Sequence, residues 1–340
     1  MPCLSASSLV YAFKITNQNS ETKNHVRHPL RGCIYIASAT FLWGVAAALG
    51  RAAFTGRLLP RGQILPPIDP IILSQSRTTF SCVLLLLALV VLRGWRGLRI
   101  PAVDFGRMFL LGVLGVAASN YFYYLAIQRT NVATAIILQY TAPVWVLLYA
   151  VARRSQKLTL QRLSAVALAM TGISLVIGLV GGGFRLDHIG LAAGLVAALS
   201  FALYNVGGHS VLLRYDRWLV LLYVIFSASV FWMFANPPWK IAAAHYSGSQ
   251  WLFLLVFSLV SVLAPFALYF AGLQHLEPTR AIIVSCLEPV FSILIAAMTL
   301  GEVMRPTQTL GILLVLIAVV VVQMPDPRSR EPVAIVEPME

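Results

Sequence analysis

The most informative chemical group in this sequence is Glu288, an acidic residue well inside a long apolar run. An ionised carboxylate within a bilayer is costly, so such a residue faces the interior of a helix bundle or a wet cavity. In that setting Glu288 can carry a coupling proton or bind a substrate amine; alternatively, it bonds to a neighbouring helix and supports packing. Arg77, which also lies inside an apolar run, is the obvious candidate partner.

Aromatic and polar residues in other apolar runs are candidates for the walls of a substrate cavity. Aromatic rings suit flat or apolar substrates and can make cation–π contacts with an amine. Rings at such positions also serve helix packing or the membrane interface, and both interpretations stay open. The predicted cavity residues are Trp43, Tyr121, Tyr124, Gln139, Tyr204, Asn205, His209, Tyr269 and Glu288.

Motifs for other kinds of membrane-protein chemistry are missing from the sequence. There is no HExxH, no GxSxG, no pair of intramembrane carboxylates and no nucleotide-binding P-loop. The four cysteines, Cys3, Cys33, Cys82 and Cys286, are scattered without metal-ligand or redox spacing. We therefore expect no catalytic residues, no metal site and no cofactor, and transport that is secondary rather than driven by ATP.

Long apolar runs must position these residues. Hydrophobic residues make up 59% of the 340 residues and charged residues only 11%, against about 25% charged residues in soluble domains. Runs of about 20 apolar residues span a bilayer as helices, and their lack of alternation excludes barrel strands. The sequence predicts an all-α polytopic membrane protein with ten transmembrane helices, at 32–52, 70–92, 106–127, 131–152, 163–181, 189–213, 218–237, 250–273, 278–300 and 307–324.

The net charge of +13 is distributed as an orientation signal. Basic residues lie in short loops between the apolar runs rather than on one face, which argues against a nucleic-acid partner. With the N-terminus inside, the inside segments hold more than twice as many Lys and Arg residues as the outside ones. The sequence thus predicts a multi-pass protein of the cell inner membrane, with cytoplasmic tails at 1–30 and 325–340 and both termini cytoplasmic.

Two segments of the chain are similar at a fixed offset of 146 residues. Tyr123–Val144 and Tyr269–Val290 are identical at seven of 22 positions, including a Gln and a Pro that are uncommon in spans. The segments fall on spans 3–4 and 8–9, so the chain divides into two five-span units at 31–182 and 187–324. Because five is odd, the second unit enters from the opposite side. This predicts inverted repeats, with substrate bound near the midplane and alternating access.

Pro143 and Pro289 occupy equivalent positions inside spans 4 and 9. Each removes the helical donor for the carbonyl four residues earlier, and a carbonyl freed at membrane depth must face protein, water or ligand. We predict a hinge or a cavity wall at both prolines, with a plain packing kink as the alternative. A stripe of small residues in span 6, from Gly190 to Ala202, allows close helix packing, and monomer and homodimer both stay open.

Several of these segments resemble the EamA domains of the drug/metabolite transporter superfamily. Ser285–Val322 is similar to the second EamA domain, through Leu287-Glu288-Pro289-Val290, Leu300-Gly301-Glu302, Gln308 and Gly311. Gln139–Leu148 is similar to the matching part of the first domain, and Phe41-Leu42-Trp43-Gly44 and Arg77 fit the first two spans. Two features depart from the family: Ser155-Gln156 stand where the second half has Gly301-Glu302, and the loop Thr55–Asp69 is longer than usual.

This resemblance implies transport and leaves the substrate open, since family members export amino acids or other metabolites, or carry sugars and nucleotide sugars. We expect a secondary transporter that exports a small metabolite, an amino acid or related amine, with the bilayer and protons as partners. The alternatives are a carrier for sugars, nucleotide sugars or lipid-linked precursors and, outside transport, an intramembrane enzyme. A phosphorylated substrate would want several basic groups in the cavity, and only Arg77 lies within a span.

Overall fold

The structure is a computed structural model that describes residues 28–54, 68–130, 132–177, 187–300 and 305–324. Within these ranges the regular structure is entirely helical. The predicted tails lie almost wholly outside the described residues, as do the loop residues 55–67 and the Gly301-Glu302 motif.

Ten helical segments follow one another in the described part of the chain, and two of them are broken into two pieces. They are α1 Pro29–Phe54, α2 Pro70–Arg93, α3 Ala102–Arg129, α4a Val132–Gln139 with α4b Ala142–Ala152, α5 Leu160–Val176, α6 His188–Leu212, α7 Arg217–Ala235, α8 Gly248–Leu273, α9a Pro278–Ser285 with α9b Leu287–Leu300, and α10 Pro306–Gln323. A 3₁₀ turn at Trp95–Leu98 and a short helix at Pro238–Ala243 lie in the loops.

Length and composition confirm the predicted polytopic all-α fold. Of the described helices, nine are long and apolar enough to cross a membrane, and α5, with 17 residues, falls just short of that length. The observed bounds lie within a few residues of the predicted ones at most ends. α5 ends at Val176 rather than at 181, and residues 178–186 lie outside the described part of the chain.

Short polar side chains set where several helices begin. Asp69, Asp187 and Asp216 accept hydrogen bonds from backbone N–H groups in the first turns of α2, α6 and α7. Ser247 and Gln250 form a capping box at the start of α8. Each cap satisfies donors that have no partner within the helix. The apolar helices therefore start at defined points, which fixes the depth of the residues inside them.

Helix packing follows a pseudo-two-fold pattern in which α1–α5 correspond to α6–α10. α1 packs against α8 and α9, and its counterpart α6 packs in the same way against α3 and α4. α2 packs against its own counterpart α7, and α5 packs against its own counterpart α10. The breaks in α4 and α9 also correspond. Two π-helical stretches, Leu111–Ala117 in α3 and Leu259–Leu263 in α8, also correspond, because they overlap when the first is shifted by 146 residues. The fold is thus two inverted five-helix repeats.

α5 and α10 are antiparallel, and a glutamine at the start of each helix bonds to the end of the other. Gln161, at the start of α5, donates hydrogen bonds to the carbonyls of Val321 and Met324 at the end of α10, at 2.7 and 2.8 Å. Gln308, at the start of α10, donates to the carbonyl of Val176 at the end of α5, at 3.3 Å. The two glutamines thereby add hydrogen bonds to carbonyls at the end of each helix, where the regular helical donors are missing.

The same two helices cross at a pair of glycines. A Cβ added to Gly172 would lie 2.8 Å from the carbonyl oxygen of Gly311, and one added to Gly311 would lie 2.6 Å from that of Gly172. Small residues of this kind let helix backbones approach closely within a membrane. Because the neighbouring atoms belong to backbone, this crossing has no room for any side chain.

The small-residue stripe of α6 is covered by helices of the same chain. A Cβ on Gly190 would lie 2.5 Å from Thr130 at the end of α3, and one on Gly194 would lie 2.5 Å from Leu138 of α4a. Ala198 and Ala202 are buried in a cluster with residues of α4b. The small residues of α6 therefore allow close packing between the second repeat and helices α3 and α4 of the first.

Candidate functional site

Glu288 lies in the first turn of α9b, directly after the break at Cys286. Every other residue from Ala281 to Val290 is buried, whereas Glu288 is only partly buried. Glu288 is therefore the one residue of this stretch whose surface is not almost fully covered by other residues. The carboxylate accepts a hydrogen bond from the hydroxyl of Tyr140 at 2.9 Å.

Tyr140 occupies the break in the other interrupted helix. α4a ends at Gln139 and α4b begins at Ala142, so Tyr140 and Thr141 form the turn between them. Tyr140 and Cys286 are 146 residues apart, which makes the two breaks equivalent in the repeats. The contact between Tyr140 and Glu288 therefore joins the broken helix of one repeat to that of the other. Discontinuous helices at the repeat interface form the substrate site in many secondary transporters.

The two predicted hinge prolines lie just after these breaks. Pro143 is the second residue of α4b and Pro289 is the third residue of α9b, and both are buried. At the break in α9, the N–H of Cys286 bonds to the carbonyl of Ile283 rather than to a residue four positions back. The prolines thus stand where a regular α-helical ladder is interrupted in each repeat.

Arg77 approaches the site from α2. Its Nη2 donates a hydrogen bond to Oδ1 of Asn120 on α3 at 3.2 Å, and the amide nitrogen of Asn120 donates to the carbonyl of Val116 at 2.8 Å. Glu288 is within range of electrostatic attraction to Arg77, but the two residues form no ion pair in the described structure. The candidate pair from the sequence is thus a pair of separated charges held by Asn120 and Tyr140.

Three predicted cavity residues lie in the core instead of bordering open space. Tyr204, Asn205 and Tyr269 are buried, and the hydroxyl of Tyr269 donates to Oδ1 of Asn205 at 2.5 Å. The amide of Asn205 donates in turn to the carbonyl of Phe201 at 2.8 Å. Trp43 is partly buried, with its ring centroid 5.4 Å from that of Tyr269. These residues form one aromatic cluster between α1, α6 and α8.

The remaining predicted residues are dispersed around this centre. Tyr121 is exposed and packs edge-on against Phe122 and Phe231, and the ring of Tyr124 lies 5.8 Å from that of Tyr123. Gln139 donates to the hydroxyl of Ser119 at 3.3 Å, and Nδ1 of His209 lies 2.8 Å from the carbonyl of Leu273. None of the contacts of these four residues reaches Glu288.

Sequence reasoning missed three polar residues around the two charged groups: Asn120 beside Arg77, and Tyr123 and Tyr140 beside Glu288. Tyr123 lies within electrostatic range of Glu288, and the other two hold Arg77 and Glu288. Tyr140 could have been found because it follows Gln139 in the repeated segment. Asn120 could have been found because it is an amide side chain within an apolar helix. No cluster of three or more His, Cys, Asp or Glu side chains suited to a metal ion occurs among the described residues.

Relatives of known sequence and structure are consistent with this architecture. An uncharacterized transporter of Archaeoglobus fulgidus is 26% identical over 213 residues, which cover 62% of this chain and 75% of that one. An uncharacterized inner membrane transporter of Salmonella typhimurium is 29% identical over 229 residues, which cover 66% and 74%. A protein of known crystal structure shares the fold with a TM-score of 0.70 at 18% identity, over 87% of this chain and 97% of that one.

A family model matches most of the chain, in two parts. The model for the EamA-like transporter family matches residues 30–178 and again residues 188–324. Each match contains five of the ten helical segments described above. The chain therefore belongs to the EamA-like transporter family.

Proposed function

We propose that this chain is a secondary transporter that exports a small amine-bearing metabolite, an amino acid or related amine, by alternating access. Glu288 binds the ammonium group of the substrate, or exchanges it for a proton, near the midplane of the bilayer. The transporter works without a cofactor and without catalysis, in the inner membrane, with both termini cytoplasmic. Family membership and the printed names of both relatives support transport in general; the substrate class is our inference from the site.

One observation carries the proposal: Glu288 is the one partly exposed residue in a stretch that is otherwise buried, from Ala281 to Val290, and Tyr140 from the opposite repeat binds it. A carboxylate in an apolar setting attracts an ammonium group strongly because there is little water to screen the charges. An ammonium arriving at Glu288 competes with the Tyr140 hydroxyl. Binding at this point therefore alters a direct contact between the two repeats, which is what substrate-coupled movement requires.

A phosphorylated substrate fits the site less well. Nucleotide sugars and lipid-linked precursors carry two or more negative charges, which a binding site compensates with several Arg or Lys side chains. Away from the ends of the described helices, Arg77 is the one basic side chain. The net charge of Arg77 and Glu288 together is zero, which favours a substrate that also has no large net charge.

Counterflow in proteoliposomes tests the proposal. Purified protein is offered a mixed pool of amino acids, amines and sugars, with and without a pH gradient, and the accumulated compounds are identified by mass spectrometry. We expect accumulation of amine-bearing compounds and a response to the gradient. Accumulation of sugars alone, or no accumulation by folded protein, would refute the proposal.

Variants of the site sharpen this test. Glu288→Gln keeps the size of the side chain and removes its charge, so we expect loss of transport or of its response to the pH gradient. Tyr140→Phe removes one hydrogen bond to a charged group, worth about 1.5–3 kcal/mol, and should alter transport less. Asp187→Asn is the matched control, because asparagine caps a helix as well as aspartate does, and it should transport normally.

A further inference from the structure

We propose that Arg77 binds the carboxylate of the substrate and that, together with Glu288, it selects zwitterionic α-amino acids over simple amines. This inference rests on the proposed function, because it names the second half of the same site. It adds a specificity-determining residue and narrows the substrate class.

Arg77 is incompletely satisfied inside the protein. A guanidinium carries five N–H donors, and Arg77 makes one hydrogen bond in the described structure, to the neutral oxygen of Asn120. Its Nε atom is buried and has no hydrogen-bond partner among the described residues. A charged group in a transmembrane helix with so few partners is costly and marks a functional site by default. Arg77 therefore keeps donors available for an anionic ligand.

The contacts of Arg77 place its side chain close to the break in α4. α2 packs on α7 and α8, yet the Arg77 side chain reaches Asn120 on α3. Asn120 is next in sequence to Ser119, whose hydroxyl accepts a hydrogen bond from Gln139, the residue before Tyr140. Arg77 is thus connected through α3 to the break in α4 at which Tyr140 holds Glu288. Glu288 itself is held by Tyr140, so the anion and the cation of the site stay apart although they attract each other.

Separated charges of opposite sign suit a ligand that carries both. The planar fork of a guanidinium matches the two oxygens of a carboxylate, and Glu288 offers the acceptor for an ammonium group. An α-amino acid bound in this way neutralises both residues and carries no net charge through the bilayer. A simple amine would satisfy Glu288 alone and leave Arg77 without its anion, whereas a phosphate would leave a net negative charge.

Matched sets of substrates separate the two halves of the site. The wild-type protein and Arg77→Gln are reconstituted and tested by counterflow with leucine, isopentylamine and 4-methylpentanoate, and with phenylalanine, phenethylamine and 3-phenylpropanoate. Each set keeps one side chain and removes the carboxylate or the amine. We expect Arg77→Gln to lower transport of the amino acids by about 10- to 100-fold, as for loss of a charge-assisted hydrogen bond. Transport of the amines should change less than about threefold.

Controls keep the outcome decisive. Arg107→Gln removes an exposed arginine at the start of α3 and should leave both rates unchanged. Arg77→Lys keeps the charge without the fork and should recover part of the amino-acid rate. If Arg77→Gln does not fold, Asn120→Ala frees the orientation of Arg77 and should reduce the ratio of amino-acid to amine transport.

The possible results also distinguish this inference from the proposed function. An unchanged ratio of amino-acid to amine transport in folded Arg77→Gln and Asn120→Ala overturns the role of Arg77 while transport of amines stands. Arg77-dependent transport of the carboxylates alone supports the role of Arg77 and overturns the amine site at Glu288. Equal losses for amino acid and amine in Arg77→Gln, with normal folding, also overturn the inference, because they show no recognition of the carboxylate.

Discussion

We predict that an ion pair between the repeats holds one end of the transporter closed. Nη1 of Arg93, at the end of α2, lies 2.7 Å from Oδ2 of Asp216, at the start of α7, and the side chains keep only 12% and 15% of their exposure. Nearby, the hydroxyl of Tyr215 bonds to Asp104 at 2.5 Å, which also joins the two repeats. By the charge distribution of the loops, this end is expected to face the cytoplasm.

The size of the effect follows from the burial of the pair. Exposed ion pairs contribute about 0.2–1 kcal/mol, while removal of one partner from a fully buried pair costs about 3–5 kcal/mol. The Arg93–Asp216 pair lies between these limits, so its loss should cost the closed state about 2 kcal/mol, roughly a 30-fold change in an equilibrium. Asp216→Asn isolates this contribution, because asparagine retains the N-cap of α7 and loses only the charge.

Labelling of Cys286 can measure the opening of this end, because a reagent reaches a fully buried thiol only when the helices around it separate. Cys286 is buried, and it lies two residues before Glu288. With Cys3, Cys33 and Cys82 replaced by serine, the labelling rate of Cys286 by a membrane-impermeant maleimide measures access to the centre. In inside-out vesicles Asp216→Asn should raise that rate by roughly 30-fold, because the closed state loses about 2 kcal/mol. In right-side-out vesicles the rate should fall or stay unchanged.

The double variant and a control complete this test. Arg93→Gln with Asp216→Asn should label at nearly the rate of either single variant, because each removes the same interaction. Arg107→Gln, which loses a more exposed pair with Asp104, should change the rate less than about fivefold. Equal labelling of Asp216→Asn and the wild type from the same side, with normal thermal stability, would refute the role of this pair.

Two further predictions concern packing. Gly172→Ala and Gly311→Ala each place a Cβ less than 3 Å from a backbone carbonyl at the α5–α10 crossing. Each should therefore lower the free energy of unfolding by about 1–3 kcal/mol, measured by thermal unfolding in detergent. Gly106→Ala, whose Cβ would meet no atom within 4 Å, is the control, and equal stability of all three variants would contradict this crossing. Tyr269→Phe removes the hydroxyl that donates to buried Asn205 and should lower the free energy of unfolding by about 1–3 kcal/mol in the same assay. The ratio of amino-acid to amine transport should stay unchanged. A changed ratio would place Tyr269 against the substrate.

The general architecture follows from the sequence because a bilayer imposes length. A helix that spans the apolar layer needs about 20 residues, so the predicted spans and the observed helices agree closely. The breaks were also foreseeable, since Pro143 and Pro289 remove helical donors at equivalent points. These features depend on local composition and on chain periodicity, which a single sequence displays.

The partners of the charged residues could not be predicted in the same way. Whether Glu288 meets Arg77 or Tyr140 depends on how α9 packs relative to α2 and α4. The sequence of an apolar helix does not show which of its faces contacts which neighbouring helix. For the same reason, composition does not separate a buried aromatic cluster from a cavity wall. Tyr204 and Tyr269 lie in the core, while Tyr140, which holds the carboxylate, lies in the repeated segment but was not predicted as a cavity residue.

The site departs from the symmetry of the scaffold, and this departure bears on mechanism. The N-caps of α2 and α7, Asp69 and Asp216, lie 147 residues apart, whereas α3 and α8 begin 146 residues apart. By these offsets Arg77 corresponds to Val224, Asn120 to Phe266 and Glu288 to Ala142. The breaks in α4 and α9 are therefore duplicated, but the charged groups are not. The cation and its amide partner come from the first repeat and the carboxylate from the second. A ligand that bridges them would interact with both repeats at once, so its binding free energy would depend on their relative position. That dependence is what allows a ligand to shift a conformational equilibrium, and a symmetric pair of sites within each repeat would not provide it.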